Sequence, residues 1–217
     1  LRTLPLTTQT PAAEETKGAH AAPRSDIRVR VVVAFGLIAV LASVIGLVFS
    51  GGTYQPSPTG LPDSGPIVGW LLPITTAIFF ATAMATVGWL LLAGFLDPSA
   101  GKDVVSKRGR SALLRASAAA AVWCVIALLT AVLRLALILG VDVGTAVAPG
   151  TFITYAWDVA DVRTLLISSL LAAIVCVGCA VSVSLTGTTT WFVFAVVAVA
   201  VPASAGHAAG LGDHGLA

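Results

Sequence analysis

Residues 116–139 read ASAAAAVWCVIALLTAVLRLALIL, a run of 24 residues with one charge, Arg134. A helix rises about 1.5 Å per residue, so the run reaches about 36 Å and crosses a hydrocarbon core of about 30 Å. Working outward, the same character recurs over residues 29–49, 67–95 and 164–185. A shorter run covers residues 191–205. At about 22 Å it falls short of an ordinary crossing, and Pro202 is expected to bend or stop it. The expected fold is an all-α, polytopic integral membrane bundle of about five transmembrane helices over residues 27–217. A Thr-, Pro- and Ala-rich tail over 1–26 lacks any helical or strand spacing and is expected to be disordered.

Composition agrees with these runs. Hydrophobic residues make up 57% of the chain, charged residues 10%, and the mean hydropathy is +0.98. An ordinary globular chain carries roughly a quarter charged residues.

Orientation follows from lysine and arginine, which favour cytoplasmic loops. Arg2, Lys17, Arg24, Arg28 and Arg30 precede the first run, and Lys102, Lys107, Arg108, Arg110 and Arg115 lie between the second and third. The stretches 50–66 and 140–162 contain no lysine or arginine. The tail and the basic loop are therefore expected in the cytoplasm, with the other two loops outside. Asp63, Asp142, Asp158, Asp161 and Asp213 fall on the outer side. They form either a rim that concentrates cations or what the basic bias leaves behind.

Arg134 is the one basic residue well inside a span. A charge there is costly unless compensated. Pairing with Asp158 or Asp161 is the favoured reading, against snorkelling to the interface or a place in a substrate path. Cys124, Cys176 and Cys179 lie within spans and form no disulfide framework. They read as small packing residues, with a soft site for Cu(I) as the alternative.

His207 and His214 flank glycines and Asp213 at an outer boundary. On a straight helix they stand about 10.5 Å apart along the axis, too far to share one ion at bonds of about 2 Å. The glycines at 206, 210, 212 and 215 allow the segment to fold back, and Asp213 could orient an imidazole or add a ligand. The alternative is that both are polar surface histidines. No nucleophile elbow, phosphate loop, zinc-protease motif or haem-attachment motif is present, so no enzymatic activity is expected. The basic residues are juxtamembrane, which gives no support to nucleic-acid binding.

Several stretches resemble one family in order and topology. They are Gly60-Leu61-Pro62-Asp63-Ser64-Gly65-Pro66 leading into Gly69-Trp70-Leu71-Leu72-Pro73, then Arg115-Ala116-Ser117-Ala118-Ala119-Ala120-Ala121-Val122-Trp123. Phe152-Ile153-Thr154-Tyr155-Ala156-Trp157-Asp158 follows, then Gly206-His207 with Asp213-His214. This pattern resembles the actinobacterial copper-resistance D proteins, many of which are fused to a cytochrome c oxidase assembly domain. The resemblance covers most of the chain from about Ile27. It implies copper transport or delivery at the plasma membrane, linked to oxidase maturation, with copper ion as the metal. The family continues into further spans where this sequence stops at Ala217, so an incomplete chain, with ligands supplied downstream, is expected. The competing reading is a non-catalytic accessory subunit or assembly factor of a respiratory complex, packed through small residues such as the 116–121 run. A third is a haem protein with His207 or His214 as axial ligand; spans one to four offer no second histidine.

Overall fold

Apolar helices gain little by leaving lipid for one another, so a membrane bundle is held by close packing and by polar groups that find partners. Both devices are visible in the computed structural model, which describes residues 62–96 and 103–207 and the isolated positions 46, 54, 56 and 58. The chain divides into two compact units, Leu1–Gly52 and Thr53–Ala217, and the fold described is that of the second. The tail and, apart from Gly46, the run at 29–49 lie outside the described residues.

Among the described residues of this unit six helices follow in order: α1 (Gly65–Leu91), which runs on into a π-helical turn over Leu92–Leu96, α2 (Lys107–Leu139), α3 (Val143–Val147), α4 (Pro149–Tyr155), α5 (Ala160–Val181) and α6 (Leu185–His207). Four of them, α1 with its π turn, α2, α5 and α6, are long and apolar enough to cross a bilayer. The protein is an all-α, polytopic membrane helical bundle. Trp70 and Trp89 stand 19 residues apart on α1. That separation, about 28 Å, places an indole at each interface.

The core lies on α2, which packs against α1 and α5; α5 packs on α6, and α6 returns to α1. Ala112, Ala116, Ala120, Trp123, Ala127 and Ala131 are all buried. Their steps of three and four residues put them on one face, where small side chains let backbones approach. Trp123 is the largest fully buried side chain, and its ring meets Phe79 edge-on at 6.0 Å. Across the α2–α5 seam, Ser117 donates to the Cys176 carbonyl at 2.8 Å and Ser169 to the Cys124 carbonyl at 3.0 Å. The buried threonines 75, 86, 130 and 188 donate to carbonyls of their own helices, so their hydroxyls carry no unmet donor into the apolar layer.

α6 differs from the short span expected at 191–205. It begins at Leu185 because its first N–H groups are met there: the Ser184 hydroxyl accepts the Gly187 N–H at 3.0 Å and the Asp103 carboxylate accepts that of Thr186. Nor does Pro202 end it. A proline removes the N–H owed to the carbonyl four residues earlier, here Ala198. The Ser168 hydroxyl of α5 donates to that carbonyl at 2.8 Å, and Ser168 is fully buried. Ser168→Ala leaves the Ala198 carbonyl unmet. Cross-helix hydrogen bonds in membranes average about 0.6 kcal/mol and reach about 1.7. The upper part of that range is expected here, because the proline has already removed the alternative donor. Reversible unfolding in bicelles checks this, with Thr189→Ala, an exposed hydroxyl, as control.

α2 starts nine residues before the apolar run, at Lys107, because the Ser106 hydroxyl accepts the Gly109 N–H at 2.9 Å. Its first turns carry Lys107, Arg108, Arg110 and Arg115 past the apolar layer, and this is the basic end of the bundle. Arg110 reaches across to the end of α5 and donates to the Ala180 and Ser182 carbonyls at 2.7 and 2.6 Å. The Asp103 carboxylate takes the Thr186 N–H at 3.0 Å near the start of α6. Each helix end thus receives the charge its dipole favours.

The opposite end carries Asp63, Asp142, Asp158 and Asp161. Here the stretch 140–162, read as a loop, contains the two short helices α3 and α4 and the start of α5. Gly140 closes α2 at φ +63°, with the Val141 N–H returning to the Ala136 carbonyl at 3.0 Å. Asp142 caps α3, and bonds from the Thr145 hydroxyl and N–H hold its carboxyl below the usual carboxylate range. The Tyr54 hydroxyl donates to Asp63 at 2.6 Å, which raises its phenol above the ordinary value.

Candidate functional site

At the acidic end, all four crossing helices contribute to a cavity of about 160 Å³. Thr76, Phe79 and Phe80 come from α1, Thr130 and Arg134 from α2. Asp161, Thr164 and Leu165 come from α5, Pro202 and Ala203 from α6. Helical spacing explains the polar lining. Thr130 is one turn before Arg134 on α2, and Thr164 lies three residues after Asp161 on α5, so each pair shares a face. The Thr76, Thr130 and Thr164 hydroxyls donate to backbone carbonyls at 2.7, 2.7 and 3.0 Å. What they leave for the cavity is acceptor capacity.

The cavity's two charges oppose one another. Arg134 Nη1 lies 3.9 Å from Asp161 Oδ2, with the side chains 39% and 42% exposed. A charge-assisted hydrogen bond is about 2.7–2.9 Å long, so the two groups attract without bonding. Exposed pairs of this kind contribute about 0–1 kcal/mol. The pair therefore does little for stability and leaves the guanidinium donors and carboxylate acceptors available. Asp158 stands apart from it, exposed in the turn before α5. Near it, Arg163 donates to the Trp157 carbonyl at 3.2 Å.

The histidine segment meets the described structure at its edge. α6 ends at His207, one turn beyond Ala203. The side chain of His207, and Asp213 and His214 altogether, lie outside the described residues. Among the described residues, no three His, Cys, Asp or Glu side chains come together where they could hold a metal.

The cysteines occupy different levels of the α2–α5 seam. Cys124 Sγ lies 3.3 Å from Ser169 Oγ, and Cys176 Sγ 3.5 Å from Ser117 Oγ. Ser117 and Cys124 are seven residues apart, as are Ser169 and Cys176, so the two sulfurs sit about 10 Å apart along the axes. That is far beyond the reach of one ion. Cys179 is fully buried.

Arg134 and Asp161 stand out in the sequence, whereas the threonines and the α6 wall do not. The signal for the threonines was present in the spacings 130/134 and 161/164. Nothing in the sequence brings Pro202 beside them, because that depends on how α5 meets α6. No family model, curated protein or solved structure matches this chain.

Proposed function

We propose that the protein transports or delivers copper at the plasma membrane, with its tail and basic end cytoplasmic and its acidic end outside. Delivery toward cytochrome c oxidase maturation is the role that the resemblance to copper-resistance D proteins favours. One structural observation supports this reading: α6 lines the polar cavity with Pro202 and Ala203 and reaches His207 a turn later, at the end that carries four aspartates. A cation drawn to that rim would reach the end of α6, the helix whose proline-freed Ala198 carbonyl is bound by Ser168 of a neighbouring span. His207, Asp213 and His214 are the residues proposed to hold the ion. Two histidines and a carboxylate do not complete a tetrahedral set. Binding is then transient, or further ligands join it.

The second reading is a non-catalytic accessory subunit or assembly factor of a respiratory complex. It is favoured by the lack of any metal-ligating group of three among the described residues. The extensive exposed apolar side chains on every crossing helix serve lipid and partner spans alike. Copper accumulation and copper content of the purified full-length protein separate the two. With His207→Ala and His214→Ala combined, both are expected to fall at least about tenfold at equal expression, the loss of about 1.4 kcal/mol or more of binding. Unchanged copper handling in the double variant favours the accessory role.

A further inference from the structure

The cavity at the acidic end holds a pair of opposite charges that face one another without bonding, and that feature is independent of the copper reading. Among the described residues, neither the Arg134 guanidinium nor the Asp161 carboxylate has a hydrogen-bond partner, and the two stand 3.9 Å apart. A ligand carrying a single charge would satisfy one group and be repelled by the other. A ligand carrying an anion and an ammonium satisfies both and adds no net charge. Guanidinium matches phosphate in a bidentate geometry, and carboxylate accepts the three donors of a primary ammonium.

Size and position indicate where such a ligand comes from. The cavity, of about 160 Å³, opens to the surface of the bundle. It has room for a small head group, with the rest of an amphiphile outside. Arg134 lies five residues before the end of α2, about 8 Å along the axis, a depth from which its long side chain reaches toward the head groups. The walls below are apolar, with Phe79, Phe80 and Leu165. Phe80 is 52% exposed on the outer surface of α1. α1 and α6 meet at the basic end, where the Phe95 and Phe192 rings lie 5.4 Å apart. Toward the acidic end the cavity lies between Phe80 of α1 and Pro202 and Ala203 of α6. Acyl chains can therefore leave along Phe80 while the head group stays at the pair.

We infer that this cavity is a binding site for the phosphoethanolamine head group of a bilayer lipid, with phosphate at Arg134 and ammonium at Asp161. The two-carbon link lets one molecule reach both groups. The threonine hydroxyl oxygens supply further acceptors for the ammonium. A phosphatidylglycerol head group has the same phosphate without the ammonium, and it leaves the Asp161 carboxylate facing an anion.

The test is lipid retention by native mass spectrometry on delipidated full-length protein. The probes are phosphatidylethanolamine, phosphatidylglycerol of matched chains and soluble phosphoethanolamine. The wild-type protein is expected to retain phosphatidylethanolamine about tenfold over phosphatidylglycerol, the scale of one charge-assisted hydrogen bond. Arg134→Gln is expected to lower retention of both lipids about tenfold, and Asp161→Asn to abolish the preference between them. Equal retention of the two lipids by wild type overturns the proposal, and this arm needs no variant to fold. Wild-type retention of phosphatidylethanolamine in either variant also overturns it. Displacement of the lipid by equimolar soluble phosphoethanolamine overturns the lipid assignment in favour of a soluble zwitterion.

Discussion

Trp123→Ala is expected to cost about 3–5 kcal/mol of bundle stability, the range for emptying a large aromatic site in a packed interior. Trp123 is fully buried on the face of α2 that carries the alanine stripe, and the alanines on that face are too short to fill the space it would leave. Its edge-on contact with Phe79 is lost as well. The indole Nε1 has no hydrogen-bond partner among the described residues. Trp123→Phe therefore removes volume but no bond, and is expected to cost about 1–2 kcal/mol. Unfolding in bicelles checks both. A phenylalanine variant as damaged as the alanine one would mean that the N–H is bonded and that its polarity matters.

Gly178→Leu is expected to separate α5 from α6 through crowding instead of loss. Gly178 is buried, and a Cβ there would meet the Trp191 indole, with Cζ2 at 2.6 Å. The atoms met belong to the rigid indole ring and not to the end of a flexible side chain, so the ring must move as a whole. Overpacking costs about 1–3 kcal/mol and more where nothing can give; the upper end, about 3 kcal/mol, is expected. The displacement of Trp191 should also quench or shift its fluorescence in a protein with the other tryptophans replaced. Gly88→Leu on α1 is the control, since its added Cβ meets nothing within 4 Å. It is expected to change stability by less than about 1 kcal/mol. Equal effects at the two glycines would remove the close α5–α6 approach from the account.

The crossing helices were legible because the signal is large. A chain with 57% hydrophobic and 10% charged residues cannot hide where its apolar runs lie. Their ends were less legible, for one reason at each place. Hydropathy marks where a segment becomes apolar, whereas a helix begins where its first N–H groups are met. Ser106 therefore starts α2 within the basic stretch, and Ser184 with Asp103 starts α6 at Leu185. Pro202 looked like a terminator because a proline removes a local bond. Its replacement comes from Ser168, 34 residues away. The cavity was half legible. Arg134 announced itself as a charge inside a span, and Asp161 as an acid on the same side. That Asp161 and not Asp158 lies beside Arg134 depends on where α5 begins, which no pattern in the sequence marks.

The copper reading depends most on the direction in which the cavity faces, since cation capture and the role of the acidic rim both require the acidic end to lie outside. Replacing Cys124, Cys176 and Cys179 by alanine gives a background on which Asp158→Cys and Arg108→Cys can each be labelled with a membrane-impermeant maleimide in intact cells. Position 158 lies in the exposed turn beside the cavity, and position 108 is exposed near the start of α2. The predicted result is labelling at 158 in intact cells and at 108 only after permeabilisation. Labelling at 108 but not 158 in intact cells would invert the bundle and contradict the account.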